Sequence, residues 1–119
     1  MTYKLKALLL AIVSIFVMTS GIASAEIIDI VSDTAYAPFE FKDSDQVYKG
    51  IDVDIINEVA KRQAWDYNMT FPGFDAAVNA IQSGQADALM AGTTITEARK
   101  KVFHFSDPYY AVSYTHLRA

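Results

Sequence analysis

Cysteine is absent from this chain of 119 residues. Disulfides and thiolate metal sites are therefore excluded, and an oxidising compartment is tolerated rather than used. A lipid-bearing cleavage site, which needs a cysteine at its first mature position, is excluded as well. Long apolar runs are scarce. The clearest, residues 7–18, falls short of the ~20 residues of a comfortable membrane-spanning helix, and no later run is long enough to span. Positive charge is also in short supply, with 10 Lys+Arg against 14 Asp+Glu. Two of those bases, Lys4 and Lys6, precede the apolar run, so the remainder is more acidic still. Such a balance disfavours nucleic acid and anionic lipid surfaces as partners. No Ser/His/Asp constellation recurs at a useful spacing, and no cofactor or metal site is expected.

The two ends read differently from the middle. Lys4 and Lys6, the apolar run and the small-x-small triplet Ala23-Ser24-Ala25 make residues 1–25 a cleavable signal peptide, with Glu26 as the first mature residue. A periplasmic or secreted location follows. Residues 113–119 have no clear period, cap or turn signal. They are expected to be a non-native or disordered tail, so His116 receives no functional weight.

Between these ends the chain alternates strand and helix patterns. The β-branched stretch 27–32 predicts a strand, and Pro38 forbids its continuation as a central strand. Residues 40–42 and 47–49 flank the turn-rich 43–46, which predicts a hairpin. A helix follows Gly50, with Ile51, Ile55, Ile56, Val59 and Ala60 on one face and Asp52, Asp54, Glu58, Lys61 and Arg62 on the other. Residues 65–71 alternate as a second strand, placing Trp65, Tyr67, Met69 and Phe71 on one side. Pro72-Gly73 is a turn. A second helix from Phe74 carries Ala77, Val78 and Ile81 on the same face and stops near Gly84. Residues 86–90 form a third strand.

This order implies an α/β fold, a parallel sheet with crossover helices. Ligands of such sheets bind beyond the carboxyl ends of the strands. Segments 33–39, 72–75 and 91–96 leave those ends. The last of them combines Gly92, three threonines and the start of a short helix capped by Thr96, with Arg99 nearby. Free N–H groups at a helix start favour an anion, and the guanidinium fork of Arg99 suits a carboxylate.

Four motifs at these positions resemble one family. Residues 33–41 (DTAYAPFEF), 50–55 (GIDVDI), 91–101 (AGTTITEARKK) and 105–110 (FSDPYY) are similar to the polar amino-acid-binding proteins of bacterial ABC importers. The resemblance covers residues 27–112 and implies a type II periplasmic-binding-protein fold, two lobes closing on an amino acid like a clamp. Residues 26–112 would be part of the first lobe, with the hinge and the second-lobe acid for the ligand's ammonium lying beyond them. The resemblance also implies an amino-acid ligand, an ABC transporter permease as partner, and a monomer.

It further implies roles for individual residues. Arg99 would bind the ligand's α-carboxylate, assisted by the backbone N–H of Thr94, while Thr94's hydroxyl accepts from the α-ammonium. Gly92 would present a carbonyl to the ammonium, with Ala91 in the same strip. Tyr36 and Phe74 would be aromatic walls, and Asp33 would touch the ligand side chain. A carboxylate there suits an amide or a cation and repels an acid, so a glutamine-like ligand comes first and a basic amino acid second. Residues 106–110 would be structural. The alternatives are a periplasmic dehydratase for cyclohexadienyl or arogenate substrates on the same fold, and the sensor domain of a histidine kinase. The chemistry of an enzyme is not visible: His104 is expected in a strand, and Asp52 and Asp54, two apart on a helix, do not face each other.

Overall fold

The computed structural model describes residues 26–112. The expected signal peptide and tail lie outside the described residues. Strand β1 (Ile28–Val31) is central, and its β-branched side chains supply part of the buried core: Ile30 and Val31 are 2% and 6% exposed. It pairs in parallel with β4 (Tyr67–Thr70) on one side, Ile28 opposite Tyr67, and with β5 (Ala88–Leu89) on the other, Ile30 opposite Ala88. The sheet order is β4-β1-β5. Two helices make the parallel crossovers, α1 (Ile51–Gln63) and α2 (Phe74–Gln82). Asp87, which interrupts the last apolar run, extends the pairing by other means: its carboxylate accepts the Asp29 N–H at 2.9 Å, and its own N–H donates to the Asp29 carbonyl at 2.8 Å.

The hairpin, β2 (Phe41–Lys42) with β3 (Tyr48–Lys49), is antiparallel. Asp43 organises its turn by accepting the N–H groups of Asp45 and Val47 and pairing with Lys49. The bond from Lys49 is the main reason its carboxyl is held below the usual range. The Tyr48 ring stacks on Phe71, just past β4, at 3.4 Å, docking the hairpin against the sheet.

Helix α1 starts without a side-chain cap. Its first N–H groups are instead taken by the preceding loop, Ile51 donating to the Pro38 carbonyl and Asp52 to the Phe39 carbonyl, each at 2.9 Å. This close approach requires Gly50: its φ is +130°, and a Cβ would collide with the Phe39 carbonyl. The helix then buries Asp52, Ile56 and Ala60 at i, i+4 and i+8. Asp52 thus departs from the solvent face expected of it. The first turn points into the loop that satisfies it rather than outward. Trp65 also departs from the strand expected to include it; it follows the helix terminus at Ala64, precedes β4 and is 47% exposed. His104 lies exposed in an irregular segment, not in a strand.

Candidate ligand-binding site

A cavity of about 220 Å³ opens at the carboxyl ends of the three parallel strands, lined by Asp33, Tyr36, Phe74, Ala91, Gly92, Thr93, Thr94 and Arg99. Every residue singled out from the sequence is there, and all three strand exits contribute. Thr93 is the addition. Its hydroxyl is buried and lacks a partner among the described residues, a polar group that favours a polar neighbour.

Asp33, leaving β1, uses Oδ1 to accept the Thr34 N–H at 2.7 Å and the Phe74 N–H at 3.2 Å. The second of these is the first N–H of α2, so Asp33 fastens the exit of β1 to the start of the helix after β4. Among the described residues, its Oδ2 receives no hydrogen bond. Tyr36 is held by backbone bonds in both directions with Glu40, at 2.7 and 3.2 Å. Its ring is 46% exposed and tilts on Phe39 at 5.1 Å. Such exposure is that of a wall rather than a core side chain. Phe74 is half-buried, and the Arg99 guanidinium lies 5.5 Å from its ring centroid, within reach for cation–π attraction.

Past β5 the strip from Ala91 to Arg99 folds back on itself. Thr96 caps α3 (Glu97–Lys100), its hydroxyl accepting the Arg99 N–H at 3.2 Å. The Arg99 side chain donates through Nη1 to the Thr94 carbonyl at 3.0 Å, leaving most of its five donors for a ligand. The Thr94 N–H has no partner among the described residues. Both residues line the same cavity. Gly92 has φ +53°, and a Cβ there would stand 2.6 Å from the Phe39 ring. Glycine is therefore demanded twice, by conformation and by space.

Behind the cavity sits a cluster that sequence reasoning missed. Asp52 accepts the Gly92 N–H at 2.7 Å and the Tyr109 hydroxyl at 2.6 Å. Glu40 is fully buried and its oxygens lack partners among the described residues. Burial, then the charges of Asp52 and Asp33, push its carboxyl up to about 8. The Tyr109 hydroxyl is likewise raised, chiefly by burial and by its bond to Asp52. The available signal was the 52-56-60 stripe, which continues a buried helical face through an acid. A second cavity of about 490 Å³, lined by Ile95, Lys100, Phe103, His104, Phe105, Ser106 and Pro108, contains none of the predicted residues. Among the described residues, no group of three or more His, Asp or Glu is arranged to hold a metal ion.

The parallel sheet thus gathers Asp33, Tyr36, Phe74, Thr94 and Arg99 around one cavity at its strand ends. The family model described as "Bacterial extracellular solute-binding proteins, family 3" matches residues 28–118, and the chain belongs to that family. The match runs into the segment expected to be a foreign tail. The lysine/arginine/ornithine-binding periplasmic protein of Escherichia coli is 34% identical over 78% of this chain and 36% of its own length. Substrate binding domain 2 of Lactococcus lactis GlnP, solved in an open conformation, is 46% identical with a TM-score of 0.70, over 74% of this chain and 38% of that one. An ancestral arginine-binding protein solved with glutamine is 37% identical, TM-score 0.66, over 71% of this chain and 37% of that one. The arginine-bound form of domain 1 from TmArgBP is 34% identical, TM-score 0.66, over 71% of this chain and 67% of that one.

The fold is therefore the type II periplasmic-binding-protein class, present in part. The chain spans about a third of the length of the curated relatives it matches. Those relatives are named as binding proteins, not as enzymes.

Proposed function

We propose that this lobe captures a polar amino acid, as the solute-binding component of an ABC importer outside the cytoplasmic membrane. The observation that carries this reading is the convergence of Asp33, Tyr36, Phe74, Ala91, Gly92, Thr94 and Arg99, drawn from three strand ends, on one cavity of about 220 Å³. That is smaller than the ~300–1,000 Å³ of complete small-molecule sites, as suits one jaw of a clamp. Arg99 and the Thr94 N–H take the α-carboxylate. Carbonyls of the 91–92 strip take the ammonium, and Tyr36 and Phe74 flank the aliphatic part. Residues 1–25 act as the signal peptide, residues 26–112 as part of the first lobe, and the working form is a monomer beside a membrane permease.

The ligand's side chain is cationic or an amide. The unpartnered Oδ2 of Asp33 and the name of the E. coli relative favour the cation. Glutamine remains within the class, since it occupies an ancestral arginine-binding protein. One lobe offers half the contacts and cannot exclude water, which leads to the expectation of little or no binding by it alone; the arginine-bound domain 1 of TmArgBP supports the opposite reading, that a lone first lobe retains measurable affinity.

Calorimetry on the full-length protein with L-arginine, L-lysine, L-histidine, L-glutamine and L-glutamate tests this. Binding of at least one basic or amide amino acid, with no response to glutamate, is expected. A protein that binds none of them, or prefers glutamate, sinks the assignment.

A further inference from the structure

Among the described residues, Ser32, Glu40 and Asp52 are the polar residues buried as a whole, and two of them touch the pocket wall from behind. Glu40 does so through its backbone bonds to Tyr36, and Asp52 through the Gly92 N–H. Asp52 lies in the first turn of α1, where the helix dipole favours a negative charge. Each of its oxygens has one donor, Gly92 N–H on Oδ2 and the Tyr109 hydroxyl on Oδ1. The Gly92 N–H belongs to the same planar trans peptide as the Ala91 carbonyl, and the two point in opposite directions. An N–H anchored on Asp52 therefore sets the Ala91 carbonyl on the side away from it.

We propose that Asp52 is a positioning residue for amino-acid binding: by holding the Gly92 N–H and the Tyr109 hydroxyl together, it fixes the peptide carrying the Ala91 carbonyl and ties it to the segment that leaves the lobe. Ligand affinity and the placement of residues 106–110 are thereby coupled through one carboxylate. The inference rests on the amino-acid site proposed above.

Glu40 completes the device. The titratable groups facing it are Asp52 on α1, Asp33 after β1, and Tyr109 in the exit segment. With its carboxyl raised to about 8, Glu40 holds a proton at neutral pH and adds no second charge beside Asp52. Above that pH it ionises, and two buried carboxylates repel each other.

The test is calorimetry of the full-length protein with L-arginine and L-glutamine, alongside thermal melts, for Asp52→Asn, Tyr109→Phe, their double variant, Glu40→Gln and Arg99→Ala. Asp52→Asn and Tyr109→Phe should each weaken the preferred ligand about tenfold, and the double variant no more than the worse single. A role in folding alone would lower the melting temperature and leave the affinity of the folded protein unchanged, which would overturn the inference. Multiplying losses in the double variant would overturn the coupling. If Asp52→Asn does not fold, Tyr109→Phe, which removes one hydroxyl, carries the same test.

Between pH 7 and 9.5 the wild type should lose affinity more steeply than Glu40→Gln, whose remaining decline reports the ligand's own ammonium. Identical profiles overturn the placement of the proton on Glu40. Loss of binding in Arg99→Ala with wild-type affinity in both Asp52→Asn and Tyr109→Phe defeats this inference alone. Wild-type affinity in Arg99→Ala defeats the site, and the inference with it.

Discussion

The Tyr109 hydroxyl donates to the Asp52 carboxylate at 2.6 Å across 57 positions of sequence. The bond closes a circuit from the first turn of α1, through the exit segment, to the strip that lines the pocket. Residues 106–110, which the family resemblance implies are structural, reach the pocket wall through this acid and through Tyr110, whose ring meets Phe39 edge-on at 5.0 Å.

Arg99→Ala should lower affinity for the preferred amino acid by ~2–5 kcal/mol, the usual cost of removing one partner of a desolvated charge pair. Calorimetry measures it. Stability should barely change, because among the described residues Arg99 makes one side-chain hydrogen bond, to the Thr94 carbonyl, and it is not buried.

Asp33→Asn should separate the ligand classes. Removing the charge should cost arginine about 1–2 kcal/mol more than glutamine, since a rim-to-buried charge pair is lost for one and not the other. The amide oxygen of asparagine still accepts the Phe74 N–H, so the start of α2 should survive. Equal losses for both ligands would take Asp33 out of the side-chain contact.

Gly92→Ala should destabilise the lobe by about 1–3 kcal/mol, because alanine is strained at φ +53° and its Cβ would meet the Phe39 ring at 2.6 Å. A melting temperature within experimental error of the wild type would contradict this.

Glu40 predicts a stability change with pH. Its folded value, about 8, stands above the ordinary 4.5, so folding favours the protonated acid. That contribution is complete below about 4.5 and is lost as pH rises through about 8. The melting temperature of the wild type, relative to Glu40→Gln, should therefore fall from pH 5 to 8 and level off above.

Much of this fold was legible because its parts obey separate periods. Alternation marked the strand at Tyr67 to Thr70, the spacing of Ile56 and Ala60 marked α1, and glycines marked where helices begin. The site was legible because each strand exit carried its own polar signature. Asp52 and Glu40 were not, since a hydrophobicity pattern assigns acids to solvent. Their burial depends on long-range donors, the Gly92 N–H and the Tyr109 hydroxyl, that no local window contains. Trp65 was misjudged for a related reason: alternation assigns it a side, but the strand begins only at Tyr67.

Strand β1 lies between β4 and β5, and this arrangement has a consequence for how the chain folds. Synthesis delivers β1 first, yet its partners arrive much later: Asn68 bonds Asp29 from 39 positions away, and Asp87 from 58. Until then its apolar side chains and both backbone edges are uncovered. Closing such distant pairs is slow compared with local helix formation. The lobe should gain its helices early and its sheet late, leaving a nascent chain that can still be threaded through a narrow passage before it locks.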